Sequence, residues 1–426
     1  MQVVLRYGRT GLPLDLPDDW KVDVIAGKPM IPLADPLSAL LHALDQGALI
    51  DEARGCRSAC VLICDITRPV PNSLILPSLV RNLLDAGMQA ERIAILVATG
   101  LHRPNLGDEL AELVGDPWVL STVSVTNHFA RNDDDHVRLG ETNRGTPVGL
   151  DRRFVEADLR IAVGLVEPHF MAGYSGGWKL IAPGVAHYST IVSLHRAGLL
   201  SHPMSANCVM DGNPVHEEMM EIARMVGHSL AVNVVIDDER RPACINFGEI
   251  EQSHAEAVSF ARSSSEVPVA RRYGTVVTSC AGYPLDKTYY QTVKAMVAAK
   301  DILVPGGNLF VASECSEGMG SPEYIEAQRR LVHLGPEGFL AEIGTRESAL
   351  IDEWQSQMQC KAMQAGKVHL YSTGLPDADS ALTGVSRTMD LGAAIRESVV
   401  KAGDSRIAVI PEGPYVIPVY RGENPT

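Results

Sequence analysis

A repeated strand–loop–helix–strand pattern is the feature that most constrains how this chain folds. The sequence predicts a buried strand at residues 59–65, a tight loop at 67–71, a helix at 73–86 that Gly87 ends, and a second strand at 92–98. A strand that returns through a helix to another strand of the same sheet pairs in parallel. The pattern therefore predicts an α/β fold with mainly parallel sheets.

The same pattern begins again in the C-terminal part of the chain. It gives a strand at residues 275–280, a loop at 281–287, a helix at 288–299 and a strand at 308–313. The length of 426 residues also exceeds the ~250–300 at which a single core stops growing. We expect two α/β domains, an N-terminal one over residues 1–265 and a C-terminal one over residues 266–426 that ends in an extended tail.

Three loops leave predicted strands of the N-terminal domain at their carboxyl ends. Their sequences are DITRPVP at residues 65–71, ATGLHRP at 98–104 and EPHFMAGYSGG at 167–177, the last following a buried strand at 159–165. Open α/β sheets bind ligands at this edge. We expect the three loops to converge there and to form the functional site.

The stretch over residues 167–184 is rich in groups that do chemistry. It places Ser175 and Lys179 next to Gly176 and Gly177. Glycines let the backbone approach a ligand and leave N–H groups that bind an anion such as a phosphate. An amine at residue 179 pairs with such an anion or bonds covalently to a cofactor.

Other candidate residues have both a functional and a structural interpretation. The histidines at 102, 169 and 195 are candidate acids, bases or metal ligands, although a lone histidine is more often structural. Arg68 suits a substrate carboxylate or a surface ion pair, and Asp65 a functional role or a loop cap.

Two further candidates, Gln291 and Lys294, lie three residues apart on one face of the second domain's predicted helix. That face is either part of a binding site or simply solvated.

Two enzyme classes compete with a cofactor-dependent site. Residues 173–177 match the G-x-S-x-G elbow of serine hydrolases, with Ser175 as nucleophile. The loop between the preceding strand and Ser175 is longer than such an elbow, which argues against a hydrolase. A Rossmann-type dehydrogenase needs G-x-G-x-x-G after its first strand, and the sequence has none there.

Composition excludes several partners. The formal net charge is −15, without a run of lysines and arginines, so we expect no nucleic acid and no membrane as partner. No signal peptide or apolar run of ~18 residues is evident, so we expect a cytoplasmic protein acting on small molecules. The eight cysteines do not form the framework of a small secreted domain and are expected to be reduced thiols.

Taken together, the motifs resemble the nickel-dependent lactate racemase family. Five of them occur in the family's order and spacing, and they fall in both predicted domains: DITRPVP, ATGLHRP, H-x-x-x-G-Y-S-G-G-x-K, a histidine sixteen positions after that lysine, and GYPLDKTYYQTVK at residues 282–294. The resemblance implies two α/β domains with the active site in the cleft between them. It also implies racemisation or epimerisation of a 2-hydroxy acid by reversible hydride transfer from Cα, through a 2-keto acid.

The resemblance further implies a cofactor, the nickel-pincer nucleotide, in which a pyridinium-3-thioamide-5-thiocarboxylate mononucleotide holds nickel. Cofactor-biosynthesis proteins are then partners. The roles implied are His102 and His169 as acid and base, His195 as nickel ligand, Lys179 as covalent tether, Asp65, Ser175, Gly176, Gly177 and Tyr290 as cofactor contacts, and Arg68, Gln291 and Lys294 as substrate contacts. A homologue that binds the cofactor without catalysis is the alternative within the family.

The resemblance specifies the substrate's carboxylate and hydroxyl but not its side chain. Met171 stands two positions after His169, where the lactate enzymes have an aromatic residue. The particular 2-hydroxy acid is therefore left open.

Overall fold

The chain divides into two compact units. The computed structural model describes residues 1–422. The N-terminal unit comprises Pro29–Leu194 and Val209–Ser263, and the C-terminal unit comprises Met1–Lys28, His195–Cys208 and the chain from Ser264 onward. Both units are α/β with mainly parallel sheets, so the predicted fold class is confirmed.

Short strands connected by helices make up most of both units. The strands within the described residues are β1 Gln2–Leu5, β2 Leu12–Asp15, β3 Lys21–Val24, β4 Ala59–Cys64, β5 Ile93–Ala98, β6 Ser124–Asn127, β7 His136–Glu141, β8 Pro147–Asp151, β9 Leu159–Leu165, β10 Pro168–His169, β11 Gly173–Tyr174, β12 Leu230–Ile236, β13 Pro242–Glu249, β14 Glu266–Val269, β15 Tyr273–Ser279, β16 Leu303–Ala312, β17 Gly366–Tyr371, β18 Ser386–Thr388, β19 Arg406–Ile410 and β20 Ile417–Tyr420.

The helices vary from one turn to more than twenty residues. They are α1 Pro36–Gln46, α2 Leu49–Ala53, α3 Asn72–Asp85, α4 Asp108–Val114, α5 Pro117–Thr122, α6 Arg152–Val155, α7 Trp178–Ile181, α8 Tyr188–Leu194, α9 Ala197–Leu200, α10 Pro214–Val226, α11 Ile250–Ser265, α12 Tyr289–Ala299, α13 Pro322–Gly344, α14 Glu353–Ala365, α15 Asp377–Ser380 and α16 Leu391–Ala402. Among the helices of residues 1–422, none combines the length and apolar character needed to cross a lipid bilayer.

The N-terminal unit is built on a six-stranded sheet of order β13-β12-β9-β4-β5-β6. All its strand pairs are parallel except β12 with β13. The central strands β4 and β9 are buried along nearly their whole length, as expected when helices cover both faces of a parallel sheet. The predicted strands at 59–65, 92–98 and 159–165 are β4, β5 and β9, with ends that agree within one residue.

The C-terminal unit has a six-stranded, fully parallel sheet of order β18-β17-β16-β15-β19-β3. The predicted strand, loop and helix at residues 275–299 correspond to β15, the loop after it and α12. The predicted extended tail forms β20, which pairs in parallel with β14. The last four residues of that tail, 423–426, lie outside the described residues.

The unit boundaries differ in part from the predicted division at residue 265. The chain passes into the C-terminal unit after Ser263, and Met1–Lys28 and His195–Cys208 also belong to that unit. The first segment does so because β3 pairs with β19, and Leu5 packs in the same core as Val277 and Ile407.

The second segment joins the C-terminal unit through α9 and the loop after it. Gln357 donates a hydrogen bond of 3.0 Å to the Ala197 carbonyl, and Lys361 donates one of 2.9 Å to the Ser205 carbonyl. Both contacts join residues far apart in sequence, and a local pattern does not reveal such pairing.

Candidate active site

The three loops predicted to form a site leave neighbouring strands. In the N-terminal sheet β4 lies between β9 and β5, and all three run in the same direction. Their carboxyl ends therefore lie at one edge of the sheet, and the loops that follow begin side by side. The predicted convergence is confirmed.

His102 and Asp65 form a pair across two of these loops. His102 Nδ1 lies 2.5 Å from Asp65 Oδ2, while Thr67 donates from its backbone N–H and its hydroxyl to Asp65 Oδ1. Burial raises the pKa of Asp65, but the hydrogen bonds from His102 and Thr67 outweigh it, so the pKa lies below its ordinary value. The ionised carboxylate of Asp65 keeps the proton of the neutral His102 ring on Nδ1, so Nε2 is a proton acceptor. The His102 side chain is 65% exposed.

His169 is held by its own hairpin. β10 and β11 pair across a tight turn, and Nδ1 of His169 accepts hydrogen bonds from the backbone N–H groups of Ala172 (3.2 Å) and Met171 (3.4 Å). An Nδ1 that accepts places the proton of the neutral ring on Nε2. The two histidines thus present Nε2 in different states, as an acceptor in His102 and as a donor in His169.

Arg68 is paired with a residue that sequence patterns did not single out. Its Nη1 contacts Oε1 of Glu167, and the two side chains are 24% and 22% exposed. The pair links the loop after β4 to the loop after β9. The signal for Glu167 is its place two residues after a buried strand and two residues before His169.

Ser175 has a structural environment. Its side chain is buried, its hydroxyl donates to the Leu165 carbonyl (2.8 Å) and accepts from the Glu167 N–H (3.1 Å). Among residues 1–422 no imidazole contacts this hydroxyl; His254 reaches only the Ser175 carbonyl, at 2.9 Å. The Ser175 hydroxyl therefore lacks the base that a serine nucleophile needs.

The glycines of this loop are required by close packing. Gly176 and Gly177 have φ angles of +80° and +43°. A Cβ would lie 2.6 Å from Val166 Cγ2 at the first position and 2.7 Å from His254 Cγ at the second. The backbone N–H groups of both glycines have no hydrogen-bond acceptor among the described residues, which leaves them for an anion.

Lys179 has the chemistry of a reactive amine. Burial, and then the positive charge of Arg68, lower its pKa to about 8. Within the described chain, no hydrogen bond or ion pair involves its Nζ. A lysine that is half-buried, unpaired and of lowered pKa typically marks a functional site rather than a structural one.

The lowered pKa also predicts how Lys179 affects stability. Its folded-state pKa of about 8 lies below the ~10.4 of an unfolded lysine. Below pH 8 Lys179 is protonated in both the folded and the unfolded state, and the folded state carries the full free-energy cost of a buried charged amine. Between pH 8 and ~10.4 the unfolded state binds more protons than the folded state, so the free energy of unfolding rises with pH. We expect Lys179→Met to raise the free energy of unfolding at pH 7 by about 1–3 kcal/mol.

Denaturant unfolding of ligand-free protein at pH 7 and pH 10 measures this difference. The increase in the free energy of unfolding caused by Lys179→Met should be smaller at pH 10 than at pH 7. Lys361 is a matched control, because burial also lowers its pKa to about 8 but its Nζ donates to the Ser205 carbonyl. Lys361→Met loses that bond and should gain less or be destabilised. Destabilisation by Lys179→Met at pH 7 would contradict an unpaired amine.

The remaining candidates lie in the C-terminal unit, mainly on α12. Tyr290, Gln291 and Lys294 follow the loop at the carboxyl end of β15, and the helix places Gln291 and Lys294 on one face as predicted. The Gln291 Oε1 atom is buried without a hydrogen-bond partner. A buried acceptor left unpaired costs free energy and indicates a place for a ligand donor.

His195 belongs to an aromatic cluster in the same unit. Its ring lies 4.4 Å from that of Trp354, whose Nε1 donates a 3.3 Å hydrogen bond to the Tyr290 hydroxyl. Gln355 in turn donates to the Tyr290 carbonyl at 2.5 Å. The structure thus brings His195 and Tyr290 together through Trp354, a residue that no sequence motif indicated.

Metal-binding groups are sparse. Residues 1–422 contain no cluster of three or more histidine, cysteine, aspartate or glutamate side chains that could hold a metal. All eight cysteines are free.

Comparison with known proteins identifies relatives over both units. Residues 7–207 match the family model of the lactate racemase N-terminal domain, and residues 270–418 match that of the lactate racemase C-terminal domain. A lactate racemase of Thermoanaerobacterium thermosaccharolyticum is 30% identical over 425 residues, which cover 97% of this chain and 98% of the relative. A lactate racemase of Lactiplantibacillus plantarum is 31% identical over 386 residues, 89% of each chain.

Solved structures agree with these relatives. The lactate racemase apoprotein of Thermoanaerobacterium thermosaccharolyticum matches with a TM-score of 0.90 and 28% identity, over 98% of this chain and all of the other. A protein of Thermotoga maritima shares the fold, with a TM-score of 0.66 at 16% identity over 92% of this chain and all of the other.

The fold and the relatives together define the class of protein. It is an isomerase of the racemase type, and a racemase acts on a small-molecule substrate. The chain belongs to the lactate racemase family.

Proposed function

We propose that this protein is a 2-hydroxyacid racemase or epimerase that works with a nickel-pincer nucleotide. The observation that carries the proposal is the grouping at one sheet edge of three functions: a guanidinium for a carboxylate (Arg68), an imidazole oriented by a carboxylate (His102 on Asp65) and an unpaired lysine of lowered pKa (Lys179). A serine hydrolase has no comparable support, because the Ser175 hydroxyl is bonded to the main chain.

The residues present fit the cofactor. The Lys179 amine is unpaired and has a pKa of about 8, as a covalent tether requires. The N–H groups of Gly176 and Gly177 are available to the nucleotide's phosphate. His195 would supply the protein's nickel ligand, which agrees with a metal held mainly by the cofactor's own atoms. When bound, the cofactor supplies a reversible acceptor for a hydride.

Arg68 would orient the substrate through its carboxylate. A guanidinium has five N–H donors in a planar fork, and a carboxylate on one side engages at most two. Glu167 is the only ion-pair partner of Arg68 within the described chain, so donors remain for a substrate. Gln291 and Lys294 are the proposed contacts to the substrate in the C-terminal unit, where the Gln291 Oε1 atom is buried without a hydrogen-bond partner.

Proton transfer would fall to the two histidines. The Cα–H of a 2-hydroxycarboxylate is a very weak acid, so direct removal as a proton by an imidazole of pKa ~6.5 is poorly matched. Nε2 of His102, with Asp65 on the other nitrogen, is a suitable acceptor for the hydroxyl proton while hydride leaves Cα. The resulting 2-keto acid is planar at its carbonyl carbon, so hydride can add to either face, and His169 would return a proton to the carbonyl oxygen when hydride adds to the face opposite the one it left.

Racemisation in deuterium oxide tests the proposal. Protein purified from a host that makes the cofactor is given one enantiomer of a 2-hydroxy acid, and the Cα isotope of both enantiomers is measured. Hydride transfer predicts that both retain protium, with a small amount of trappable 2-keto acid. Deuterium entering Cα at the rate of racemisation would replace the proposal with a two-base carbanion mechanism. Cofactor without turnover of any 2-hydroxy acid would indicate a non-catalytic homologue.

A further inference from the structure

The Arg68–Glu167 pair rests on a series of contacts that begins in the interior of the N-terminal unit. His254, which is 3% exposed, donates from Nε2 to the Ser175 carbonyl at 2.9 Å. Ser175 in turn donates its N–H to the Glu167 carbonyl at 2.9 Å and accepts the Glu167 N–H on its hydroxyl at 3.1 Å. The main chain of Glu167 is thus fixed on both sides.

Arg68 is fixed at its backbone but not at its side chain. Its N–H donates to the Asp65 carbonyl at 3.1 Å, and its carbonyl accepts from Val70 at 2.8 Å. Four rotatable bonds separate this turn from the guanidinium. The contact with Glu167 is what restricts those bonds, because it joins Nη1 to a carboxylate whose own backbone is held.

We infer that Glu167 is a positioning residue that holds the Arg68 guanidinium in the orientation that binds the substrate carboxylate. The inference rests on the proposed function, since it assigns Arg68 to a carboxylate. It also explains why Ser175 is buried and bonded to the main chain: the Ser175 contacts stabilise the segment that carries Glu167.

Partial exposure makes the pair suited to this role. With 24% and 22% of the two side chains exposed, the pair lies at the surface of the site rather than in the core. Breaking a partly exposed ion pair destabilises a protein less than breaking a fully buried one. Loss of Glu167 should therefore change substrate binding far more than folding.

Steady-state kinetics of the holoenzyme test the inference. We expect Glu167→Ala to raise KM for a 2-hydroxy acid about tenfold and to leave kcat within about threefold, with Glu167→Gln in between because its amide retains one hydrogen bond to Arg68. In an Arg68→Lys background the same change should have little further effect, because the fork that Glu167 positions is absent. Glu156→Gln, which breaks the exposed Arg152–Glu156 pair, is a matched control.

A lower KM in Glu167→Ala would overturn the inference, since Glu167 would then compete with the substrate. The inference would also be overturned if the effects of Glu167→Ala and Arg68→Lys on KM multiplied in the double variant. Labelling with phenylglyoxal separates this result from the proposed function: Arg68, located by peptide mass mapping, should react faster in Glu167→Ala, and propionate should protect it less well than in the wild type. Wild-type protein that racemises nothing but shows this labelling pattern would refute the proposed reaction alone, and equal labelling would refute the positioning role.

Discussion

Replacing Lys179 with alanine is expected to remove the cofactor from the protein. Wild-type protein from a host that makes the nickel-pincer nucleotide should carry a nucleotide-sized adduct and about one nickel per chain. The variant should have the mass of the unmodified chain and almost no nickel, because the only covalent bond to the cofactor is lost. Intact mass and metal analysis of both proteins measure this.

Lys361→Ala is the control for the Lys179 experiment. It removes another lysine whose pKa burial lowers to about 8, but one whose Nζ is hydrogen-bonded in the C-terminal unit. This variant should retain the adduct and the nickel. An adduct that maps to a lysine other than Lys179 would contradict the assignment, and nickel retained without an adduct would contradict only the covalent bond.

The second large effect is expected at the two histidines. His102→Gln and His169→Gln should each reduce racemisation at least ~100-fold, the lower range for loss of an acid or base. The loss should be seen from either enantiomer, because each direction needs one imidazole to take the hydroxyl proton and the other to return it. Initial rates from both pure enantiomers, at equal cofactor loading, measure it.

His228→Gln serves as the comparison, because His228 is exposed and paired with Glu52 away from the three loops. It should retain wild-type rates. Because the two enantiomers have equal free energy, kcat/KM must be the same in both directions, so a histidine variant in which kcat/KM fell in only one direction would indicate a change in cofactor loading or in the assay. A variant with wild-type rates in both directions would remove that histidine from the acid–base pair.

Local patterns were sufficient to predict the sheet edge that carries the site. Runs of apolar residues at β4, β5 and β9, each followed by a loop with glycine or proline, give both the strands and their parallel direction. Direction alone places the loops together at the carboxyl edge. Convergence of Arg68, His102 and Lys179 was therefore predictable without any contact being known.

Contacts between distant residues were not predictable in the same way. The sequence allows Arg68 to be either a carboxylate ligand or part of an ion pair, and the structure shows the pair with Glu167, 99 positions away (167−68). The hydroxyl of Ser175 fits an anion loop by sequence, whereas in the fold it bonds to the Leu165 carbonyl. Side-chain partners depend on tertiary geometry, and spacing along the chain does not encode it.

The pairing of β3 with β19 has a consequence for how the protein forms during synthesis. Residues Lys21–Val24 leave the ribosome early, yet their partner Arg406–Ile410 is made almost at the end. The N-terminal unit, from Pro29 to Ser263 apart from His195–Cys208, has all its strands long before then. All strands of that unit have been made while β3 still lacks its partner, so the opening segment remains without its native neighbours for most of translation and is accessible to chaperones and proteases during that time.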